Sequence, residues 1–451
     1  MSNFAKSSPS RKLRITTGIA AMSVGVFMLA ACSSSGDTAG DPAAEGDAAA
    51  AVCGPDTAET VTEVSPVEAP TAQERSEALK IGSLLPQTGT LAFLGPPEIA
   101  GVDLAVAEIN ASPSGVLGGN ISVVHRDSGD TSTDIATQSV TDLLSQNVSA
   151  IVGAASSGVS MTVIDQITGA GVVQISPANT SAEFSTYDDK GFYFRTAPSD
   201  ILQGRVNGNT IVNDGNASVG IIYLNDAYGS GLSESITTAV EAAGGEVVAS
   251  EAFNEGDSQF SAQIDAVTAA DPDAIALVAF DQTATIVPQL IGTKGFPADK
   301  LYMVDGNMAD YSADFEEGTL NCAKGTIPGV VASDDFRAKL LGIDPELKDY
   351  TYGAESYDAV ILAALAAQAG GAADSATIKD NMQKVSADGE KCTTYADCVA
   401  LLEAGTDIDY DGVSGPISFD ENGDPSEATI GIYQYGNGNT YSNIGEEAGQ
   451  L

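Results

Sequence analysis

The sequence predicts an α/β protein with two Rossmann-like lobes that face a shared cleft. Three observations lead to this prediction. The chain has 451 residues, which is more than one hydrophobic core ordinarily serves. Short apolar runs rich in β-branched residues alternate with longer segments whose apolar residues recur at helical spacing, as is typical of parallel βαβ units. The alternation forms two successive series of similar size without a long linker, so each series is expected to form one lobe.

Residues 1–31 have the layout of an export signal. A basic stretch precedes an apolar run from Ile15 to Leu29, which is too short for a comfortable membrane span. The sequence Leu29-Ala-Ala-Cys32 resembles the lipobox of bacterial lipoproteins, which implies cleavage before Cys32 and attachment of lipid to it; an incidental cysteine is the alternative. We therefore expect an extracytoplasmic protein that a lipid anchors to the cell membrane.

The segment 32–78 is expected to be a disordered, acidic linker. It is rich in Ala, Gly, Asp, Glu, Thr and Pro and has almost no large apolar residues, so it cannot bury enough surface to fold. The whole chain is also acidic, with a formal net charge of -43. Such a surface repels nucleic acid and anionic headgroups, so neither is expected as a ligand. It suits high ionic strength, where repulsion is screened, and a saline habitat is a hypothesis from this charge.

Apart from the lipobox cysteine, the chain has four cysteines. An even number of cysteines in an exported protein indicates disulfides, here two. Cys392 and Cys398 are close enough in sequence to close a short loop, so we pair them and pair Cys53 with Cys322. The only histidine is His125, which leaves no ligand set for zinc, and we expect neither a metal nor a cofactor.

The first lobe is predicted to be organised around a βαβ unit in residues 151–180. Both apolar runs of this unit end in hydroxyl side chains, Ser156 and Ser157 after the first and Ser176 and Thr180 after the second. Ligands of such sheets gather at the carboxyl ends of the strands, and the free N–H groups at a helix start can hold a carboxylate. The preceding elements are expected at 80–86 (strand), 99–109 (helix), 121–125 (strand) and 135–144 (helix).

A second α/β series begins after residue 198. It is predicted to contain strands at 219–223, 246–250 and 274–280, and helices at 206–212, 231–243 and 261–268. Further helices are expected at 283–293, 357–369 and 378–385, followed by a closing hairpin of 415–419 and 428–435 around a turn at 420–424. We assign residues 79–197 and 282–408 to lobe 1, and residues 198–281 and 409–451 to lobe 2.

Eight short motifs follow one another from residue 85 onwards: LPQTGTLA (85–92), GVDLAVAEIN (101–110), GAASSG (153–158), ISPANT (175–180), FRT (194–196), DAYGSG (226–231), GDSQFS (256–261) and GVSGPISFD (412–420). Each motif is weak alone, but their order and spacing are specific. Together they resemble the branched-chain amino acid (Leu/Ile/Val) binding protein family, the type I periplasmic binding proteins of ABC importers. The resemblance covers nearly everything from residue 81 onwards, and it implies a hinge between the lobes and a ligand cleft.

The resemblance also implies a ligand set for an amino acid. Ser157 matches the residue that binds the α-carboxylate, Ala178 offers a carbonyl to the α-ammonium, and Thr180 contributes its N–H and hydroxyl. From the other lobe, Tyr228 matches an aromatic residue that closes over the ligand, and Asp257 matches the acid that pairs with the ammonium. From the residues alone, a helix cap at Ser157, lobe packing at Tyr228 and a solvated turn at Asp257 remain alternatives.

Selectivity for the ligand's side chain is expected from residues near the strand ends. An apolar set favours an aliphatic or aromatic side chain, whereas an acid or amide that points inward favours a polar one. The candidates are Leu94, Phe93, Phe280, Asp281, Asn307 and Met308, with Ser156 beside the carboxylate site. The family resemblance implies delivery of the ligand to an ABC permease. Amides, urea and small organic acids remain alternative ligands, and a ligand-sensing receptor remains an alternative role.

An enzyme is the competing class of protein. Ser156, Ser157 and Ser230 are the candidate nucleophiles, but no Gly-x-Ser-x-Gly elbow occurs and the only histidine lies on another strand. Residues 407–412 match the first half of a calcium loop, yet Ser418 stands where that loop needs a bidentate Glu. We therefore predict a binding protein without catalytic activity.

Overall fold

The structure is a computed structural model, and it describes residues 64–450 of the chain. The export signal, the lipidation site at Cys32 and most of the linker lie outside the described residues, and so does Cys53. These expectations, including the pairing of Cys53 with Cys322, stay predictions.

The first part of the described chain forms one parallel sheet. Its strands are β1 (Glu77–Leu85), β2 (Asn120–Asp127), β3 (Ala150–Gly153), β4 (Val173–Ser176) and β5 (Tyr193–Arg195), in the spatial order β2-β1-β3-β4-β5. The connecting helices are α1 (Gly95–Ala111), α2 (Ile135–Ser145) and α3 (Ser157–Gly169). β3 and β4 are buried along their whole length, because elements cover both faces of the sheet.

The chain then builds the second lobe. Its helices are α4 (Asp200–Asn213), α5 (Ala227–Ala242), α6 (Ser261–Ala269) and α7 (Thr283–Val287), which a π-helical turn, Pro288–Thr293, continues. Its strands are β6 (Ser218–Leu224), β7 (Glu246–Phe253), β8 (Ala274–Val278), β9 (Leu301–Met303) and β10 (Lys324–Pro328). These five strands are parallel, in the order β10-β9-β8-β6-β7.

The chain next returns to lobe 1 and covers its sheet. The elements are α8 (Asp334–Ile343), α9 (Gly353–Gly370), α10 (Ser375–Met382), α11 (Tyr395–Glu403), and the short strands β11 (Glu390–Cys392), β12 (Ile408–Gly412) and β13 (Gly415–Pro416). α9 packs against α1 and α10 and is buried on nearly all sides. Its apolar residues join those of β1, β3 and β4 in the core of lobe 1.

The C-terminal hairpin differs from the predicted one. β14 (Glu427–Tyr435) pairs with β15 (Tyr441–Gln450) and with β10, all antiparallel, and completes a seven-stranded second sheet. Residues 415–416 pair instead with 411–412 in a small separate sheet. The turn at Gly436–Asn439 was not recognised as a hairpin turn, because the strand that follows it is mostly polar and half-exposed.

The lobe boundaries also differ from the expected ones. We predicted residues 282–408 in lobe 1, but β9 and β10, which lie within that range, pair in the second sheet. We predicted residues 409–451 in lobe 2, but Tyr410, Ile417 and Phe419 pack in the core of lobe 1. Apolar periodicity shows where a strand lies but not which sheet it joins, so these boundaries required the pairing of distant segments. The two-lobed α/β fold itself is confirmed.

Three segments connect the lobes, near residues 196–199, 329–333 and 420–426. A buried ion pair joins the first segment to the third: Arg195 Nε and Nη2 lie 2.6 and 2.8 Å from the two carboxylate oxygens of Asp424. The backbone N–H of Arg195 also donates to Gly423 O at 3.1 Å. Two of the three connections are therefore tied to each other beside the cleft.

The predicted disulfide between Cys392 and Cys398 is confirmed, with the two Cα atoms 5.3 Å apart. It joins β11 to α11, and both cysteines are buried in the core of lobe 1. Within residues 64–450, no single helix is long and apolar enough to cross a membrane. The bent pair of α9 and residues 375–385 meets the criteria of length and composition, but α9 is a core helix of lobe 1.

Candidate ligand-binding site

A narrow cavity lies between the lobes at the carboxyl ends of both parallel sheets. Lobe 1 contributes residues that follow β1, β3 and β4, and lobe 2 contributes residues that follow β6, β8 and β9. The free volume is about 10 Å³, which is room for about one water molecule, so the lobes are closely apposed. The lining residues are Leu91, Leu94, Ala155, Ser156, Ser157, Ala178, Tyr228, Phe280, Asp305, Gly306 and Tyr352.

The start of α3 forms one end of the cavity. Ser156 is the N-cap residue, and its Oγ accepts a hydrogen bond from Val159 N at 3.2 Å. Ser157 is the first helical residue, and its Oγ accepts from the backbone N–H groups of Thr180 and Ser181, at 3.3 Å each. The free N–H groups of a helix start carry partial positive charge. This end therefore offers hydrogen-bond donors to an anionic group.

Asp305 lies at the other end, on the loop after β9. Its Oδ1 accepts hydrogen bonds from Tyr228 OH at 2.7 Å and Gln203 Nε2 at 2.9 Å, and its Oδ2 accepts from Tyr352 OH at 2.7 Å. Burial raises the pKa of Asp305, although these hydrogen bonds favour the charged form. The carboxylate of Asp305 lines the cavity, so it can pair there with a cationic group.

Asp200 is a second buried acid beside this end. Burial first, and then the charge of Asp305, raise the pKa of Asp200 well above its ordinary value, whereas the side chain of Thr180 favours the ionised form. Asp200 and Thr180 are fully buried. Neither the carboxylate oxygens of Asp200 nor the hydroxyl of Thr180 make a hydrogen bond of normal geometry to a described residue. Unused acceptors in a buried carboxylate are satisfied well by a cation.

The rest of the cavity wall is apolar. The rings of Tyr228 and Phe280 are stacked, with centroids 5.3 Å apart and an interplanar angle of 18°. Gly306 lies against both rings, since a Cβ there would come within 2.8 Å of the Phe280 ring and 2.9 Å of Tyr228 OH. Leu91 and Leu94 complete the wall from lobe 1. The cavity thus combines donors from lobe 1 and an acid from lobe 2 with an apolar wall.

Six of the predicted ligand residues lie on this cavity: Ser156, Ser157, Ala178, Tyr228, Phe280 and Leu94. Thr180 is buried and contacts Ser157 through its backbone N–H. Asp257 is placed elsewhere. Its side chain is exposed, and its Oδ2 accepts a hydrogen bond from the backbone N–H of Asn254 at 2.8 Å. In this structure Asp257 is therefore a solvated turn residue, because the loop after β7 keeps its carboxylate in solvent.

Asp281 and Asn307 also lie off the cavity wall. Asp281 is exposed, whereas the buried amide of Asn307 donates to Leu277 O at 3.0 Å and accepts from Val304 N at 2.9 Å. The amide of Asn307 therefore stabilises its own turn. The sequence reasoning missed Asp305, although a signal was present: it is the first acid after the carboxyl end of β9, and the same strand-end rule identified Ser157.

Acidic side chains surround the mouth of the cleft. Burial, followed by the charges of Asp130, Asp226 and Asp281, raises the pKa of Glu255 to about 7, against a lowering effect of Thr90. Burial also raises the pKa of Asp226 to about 6. Asp130 follows β2 in lobe 1, whereas the other three acids belong to lobe 2. Close approach of the lobes therefore brings like charges together.

Within the described residues, there is little support for a metal site or for a serine nucleophile. There, no group of three or more His, Cys, Asp or Glu side chains is arranged to hold a metal, and residues 408–412 of the calcium-like stretch form β12. His125 lies within hydrogen-bond distance of Ser83 Oγ (2.7 Å) and Asp103 Oδ1 (3.0 Å). Ser83 is fully buried, so its hydroxyl is closed to a substrate.

Comparison with known proteins agrees with this architecture. The sequence model of the family described as "Periplasmic binding protein" matches residues 78–439. The curated "Chemotactic signal transduction system substrate-binding protein BasB" of Halobacterium salinarum is 26% identical over 355 residues, which are 76% of this chain and 83% of that protein. The branched-chain amino acid transporter substrate binding protein LivJ of Streptococcus pneumoniae, solved in complex with isoleucine, is 27% identical with a TM-score of 0.67, covering 83% of this chain and 100% of LivJ.

A solute binding protein of an ABC transporter from R. palustris, solved in complex with benzoate, has a TM-score of 0.65 over 83% of this chain and 97% of that chain. At 20% identity, this likeness shows the fold alone. The family match covers most of both lobes and every segment that lines the cavity. Members of the family are extracytoplasmic binders and not enzymes. This chain belongs to the periplasmic binding protein family and is a solute-binding protein of the ABC-transporter type.

Proposed function

We propose that this chain is a lipid-anchored, extracytoplasmic receptor that binds an amino acid with a branched-chain or other hydrophobic side chain and presents it to an ABC permease. The observation that carries the proposal is the pairing, across one apolar cavity, of a helix start in lobe 1 with the buried Asp305 of lobe 2. An amino acid carries its carboxylate and ammonium on one carbon atom, so it requires hydrogen-bond donors and an acid close together.

The proposed contacts divide between the two charged groups of the ligand. The α-carboxylate binds Ser157 and the N–H groups at the start of α3. The α-ammonium binds the carbonyl of Ala178, the hydroxyl of Thr180 and the carboxylate of Asp305. Asp200 lies beside Thr180 with unsatisfied carboxylate oxygens and a raised pKa, and a bound ammonium would favour its ionised form. The side chain then meets the apolar wall, which supports a hydrophobic ligand.

Hinge closure is the proposed binding mechanism. The carboxylate contacts come from lobe 1, whereas Asp305 and Tyr228 come from lobe 2. Only the closed form makes both sets of contacts, so the ligand shifts the population from open to closed. The closed form would then be the form that the permease recognises.

Two alternatives have some support. The first is an amide, urea or a small organic acid in the same cleft, because a protein with a similar fold was solved in complex with benzoate. The buried acids Asp200 and Asp305 oppose a ligand that has no positive charge. A sensing role is the other, because the name of the Halobacterium relative places it in a chemotactic signal transduction system. Transport and sensing use the same binding contacts, so only a cellular assay separates them.

A thermal-shift screen of the mature protein against amino acids, amides, urea and small organic acids tests the ligand class. We expect hydrophobic amino acids to raise the melting temperature, and calorimetry should show that Ser157→Ala weakens the best of them by about tenfold. The exposed Ser258→Ala is the matched control and should leave the affinity unchanged. Stabilisation by urea or benzoate but by no amino acid would replace the proposal. Uptake of the amino acid that persists in cells without the protein would favour sensing.

Replacement of Glu255 by glutamine is expected to strengthen ligand binding at pH 8 but not at pH 5. Burial, followed by the charges of neighbouring acids, raises the pKa of Glu255 to about 7 in this form, so we expect protonation of this acid to favour the closed form. That contribution is complete below the ordinary pKa and is lost as the pH rises through 7. The amide cannot ionise, and we expect affinity about threefold to tenfold higher than wild type at pH 8.

Calorimetric titrations at both pH values measure this effect. Glu246→Gln removes the same charge from an exposed position at the far end of β7 and should bind like the wild type. Equal affinities of the Glu255→Gln variant and the wild type at pH 8 would show that repulsion at the cleft mouth does not oppose closure.

A further inference from the structure

A second cavity lies beside the hinge, on the far side of Tyr352 from the first. Its free volume is about 240 Å³, and both lobes contribute to its wall. Lobe 1 contributes residues of α8 and of the loop before α9, and lobe 2 contributes residues of β10, β14 and the start of β15. The side chains that matter below are Arg337, Lys348, Tyr350, Tyr352, Tyr433 and Tyr441.

Aromatic rings form much of this wall. Tyr433 and Tyr441 of lobe 2 meet edge to face, with centroids 5.4 Å apart. Tyr350 and Tyr352 of lobe 1 lie on the same cavity, next to the apolar Val330 of the hinge segment. Tyrosine rings give large apolar contact area together with a hydroxyl that can hydrogen-bond. The wall therefore suits a small planar molecule with polar substituents.

Two basic side chains lie on the same wall. The chain has 19 basic residues against 62 acidic ones, yet Arg337 and Lys348 both line this one cavity. The guanidinium of Arg337 lies 5.7 Å from the centroid of the Tyr350 ring and pairs with Asp334 through Nη2. Its Nε is buried and has no acceptor among the described residues. The guanidinium of Arg337 thus has one N–H group without an acceptor among the described residues, and arginine is well suited to binding a carboxylate.

Acids also lie on this wall, and the pKa values of two of them are raised. Burial, followed by the charge of Asp358, raises the pKa of Glu355 to about 8. Burial also raises the pKa of Asp349. Asp310 is the third acid on the wall. Because arginine and lysine side chains carry positive charge at neutral pH, the wall can accommodate an anion.

Tyr352 separates the two cavities. Its side chain lines both, and its hydroxyl donates to Asp305 Oδ2 of the first cavity at 2.7 Å. Its backbone has φ of 58°, in the left-handed region that is unfavourable for a residue with a side chain. A molecule that contacts the Tyr352 ring from the hinge side therefore acts on the group that orients Asp305.

We propose that this cavity is a second ligand site, which binds a small aromatic carboxylate and thereby favours closure of the lobes. Arg337 and Lys348 bind the carboxylate, and the four tyrosines enclose the ring. The wall comes from both lobes, so a molecule bound there contacts both only in the closed form. The amino-acid site has the same preference, and the two ligands should strengthen each other's binding, since coupling between sites is reciprocal. The second site goes beyond the proposed function; only the coupling depends on it.

The test uses benzoate as the probe and the protein saturated with the amino acid that the screen identifies. Saturation blocks the first cavity, so benzoate that still binds must occupy another site. We expect calorimetry to show binding, with amino-acid affinity at least about twofold higher when benzoate is present. Arg337→Gln should weaken benzoate at least about tenfold, because a buried charged donor is lost, and should change amino-acid affinity less than about twofold. Lys339→Gln, on the same helix but paired with Glu108, is the control.

Lys348→Glu is a second test that does not depend on the folding of the Arg337 variant, because Lys348 is exposed. It should abolish measurable benzoate binding. Benzoate that competes with the amino acid, or that binds both variants as tightly as the wild type, would overturn the proposal. If no amino acid binds at all, the proposed function fails, while titration of the unsaturated wild type, Arg337→Gln and Lys348→Glu with benzoate still decides the second site.

Discussion

Replacement of Asp305 by asparagine is expected to weaken amino-acid binding by at least about 100-fold, or roughly 3 kcal/mol. The ammonium of the ligand would lose its buried counter-charge, while the neutral amide can still bond to the hydroxyls of Tyr228 and Tyr352. Burial raises the pKa of Asp305, so the carboxylate is costly to the unliganded closed form. The unliganded Asp305→Asn variant is therefore expected to melt at the wild-type temperature or above it.

Calorimetry and thermal unfolding of the same preparation measure both effects. Asp257→Asn is the matched control, because Asp257 is the acid expected from the family resemblance and is exposed in the structure. It should bind the amino acid like the wild type. A loss of binding in the Asp257 variant, with normal binding in the Asp305 variant, would restore Asp257 to the site and remove Asp305 from it.

Replacement of Asp424 by asparagine is expected to reduce the free energy of unfolding by about 3 to 5 kcal/mol. Arg195 is fully buried, and its remaining hydrogen bonds go to neutral acceptors, the carbonyls of Asn179 and Ser181 and the hydroxyl of Ser185. Without Asp424 its charge stays buried with no carboxylate hydrogen-bonded to it. The loss affects stability broadly, because this ion pair ties two of the three connections between the lobes.

Urea unfolding monitored by circular dichroism measures this loss. Asp265→Asn, which breaks the exposed pair of Lys294 and Asp265, is the control and should cost less than about 1 kcal/mol. The double variant Arg195→Met with Asp424→Leu should lose less than Asp424→Asn alone, because no unpaired charge remains in the core. Equal losses in the Asp424 and Asp265 variants would show that the buried pair contributes no more than a surface pair.

The local pattern of the sequence was sufficient for β1–β4, β6–β8, α1–α7, α9 and α10, but it did not predict β5, β9, β10, α8 or α11. β3, α3 and β4 lie where alternating apolar runs and a helical segment predict them, and the short loop between Cys392 and Cys398 carries the expected disulfide. The pairing of β9 and β10 with the second sheet and the β14–β15 hairpin were not predicted. Strands on either side of a long connection have no local signal for their neighbours.

Part of the candidate site was also predictable from the local sequence pattern. Ser157, Ala178 and Tyr228 stand directly after strands or at helix starts, so the rule about strand ends places them on the cavity. Asp257 also follows a strand, yet its loop turns the carboxylate towards solvent and Asn254. Asp305 and Tyr352 required the folded chain, because nothing in either local sequence indicates that their side chains meet.

The sequence by itself determined the fold class, the family and one polar end of the cavity, since these follow from periodicity, composition and motifs that act over a few residues. Only the tertiary structure decided which acid faces the cavity, which sheet each late strand joins and where the second cavity lies. Those properties depend on contacts between segments far apart in the chain. Such contacts depend on packing and on the burial of charge, neither of which has a local pattern in the sequence.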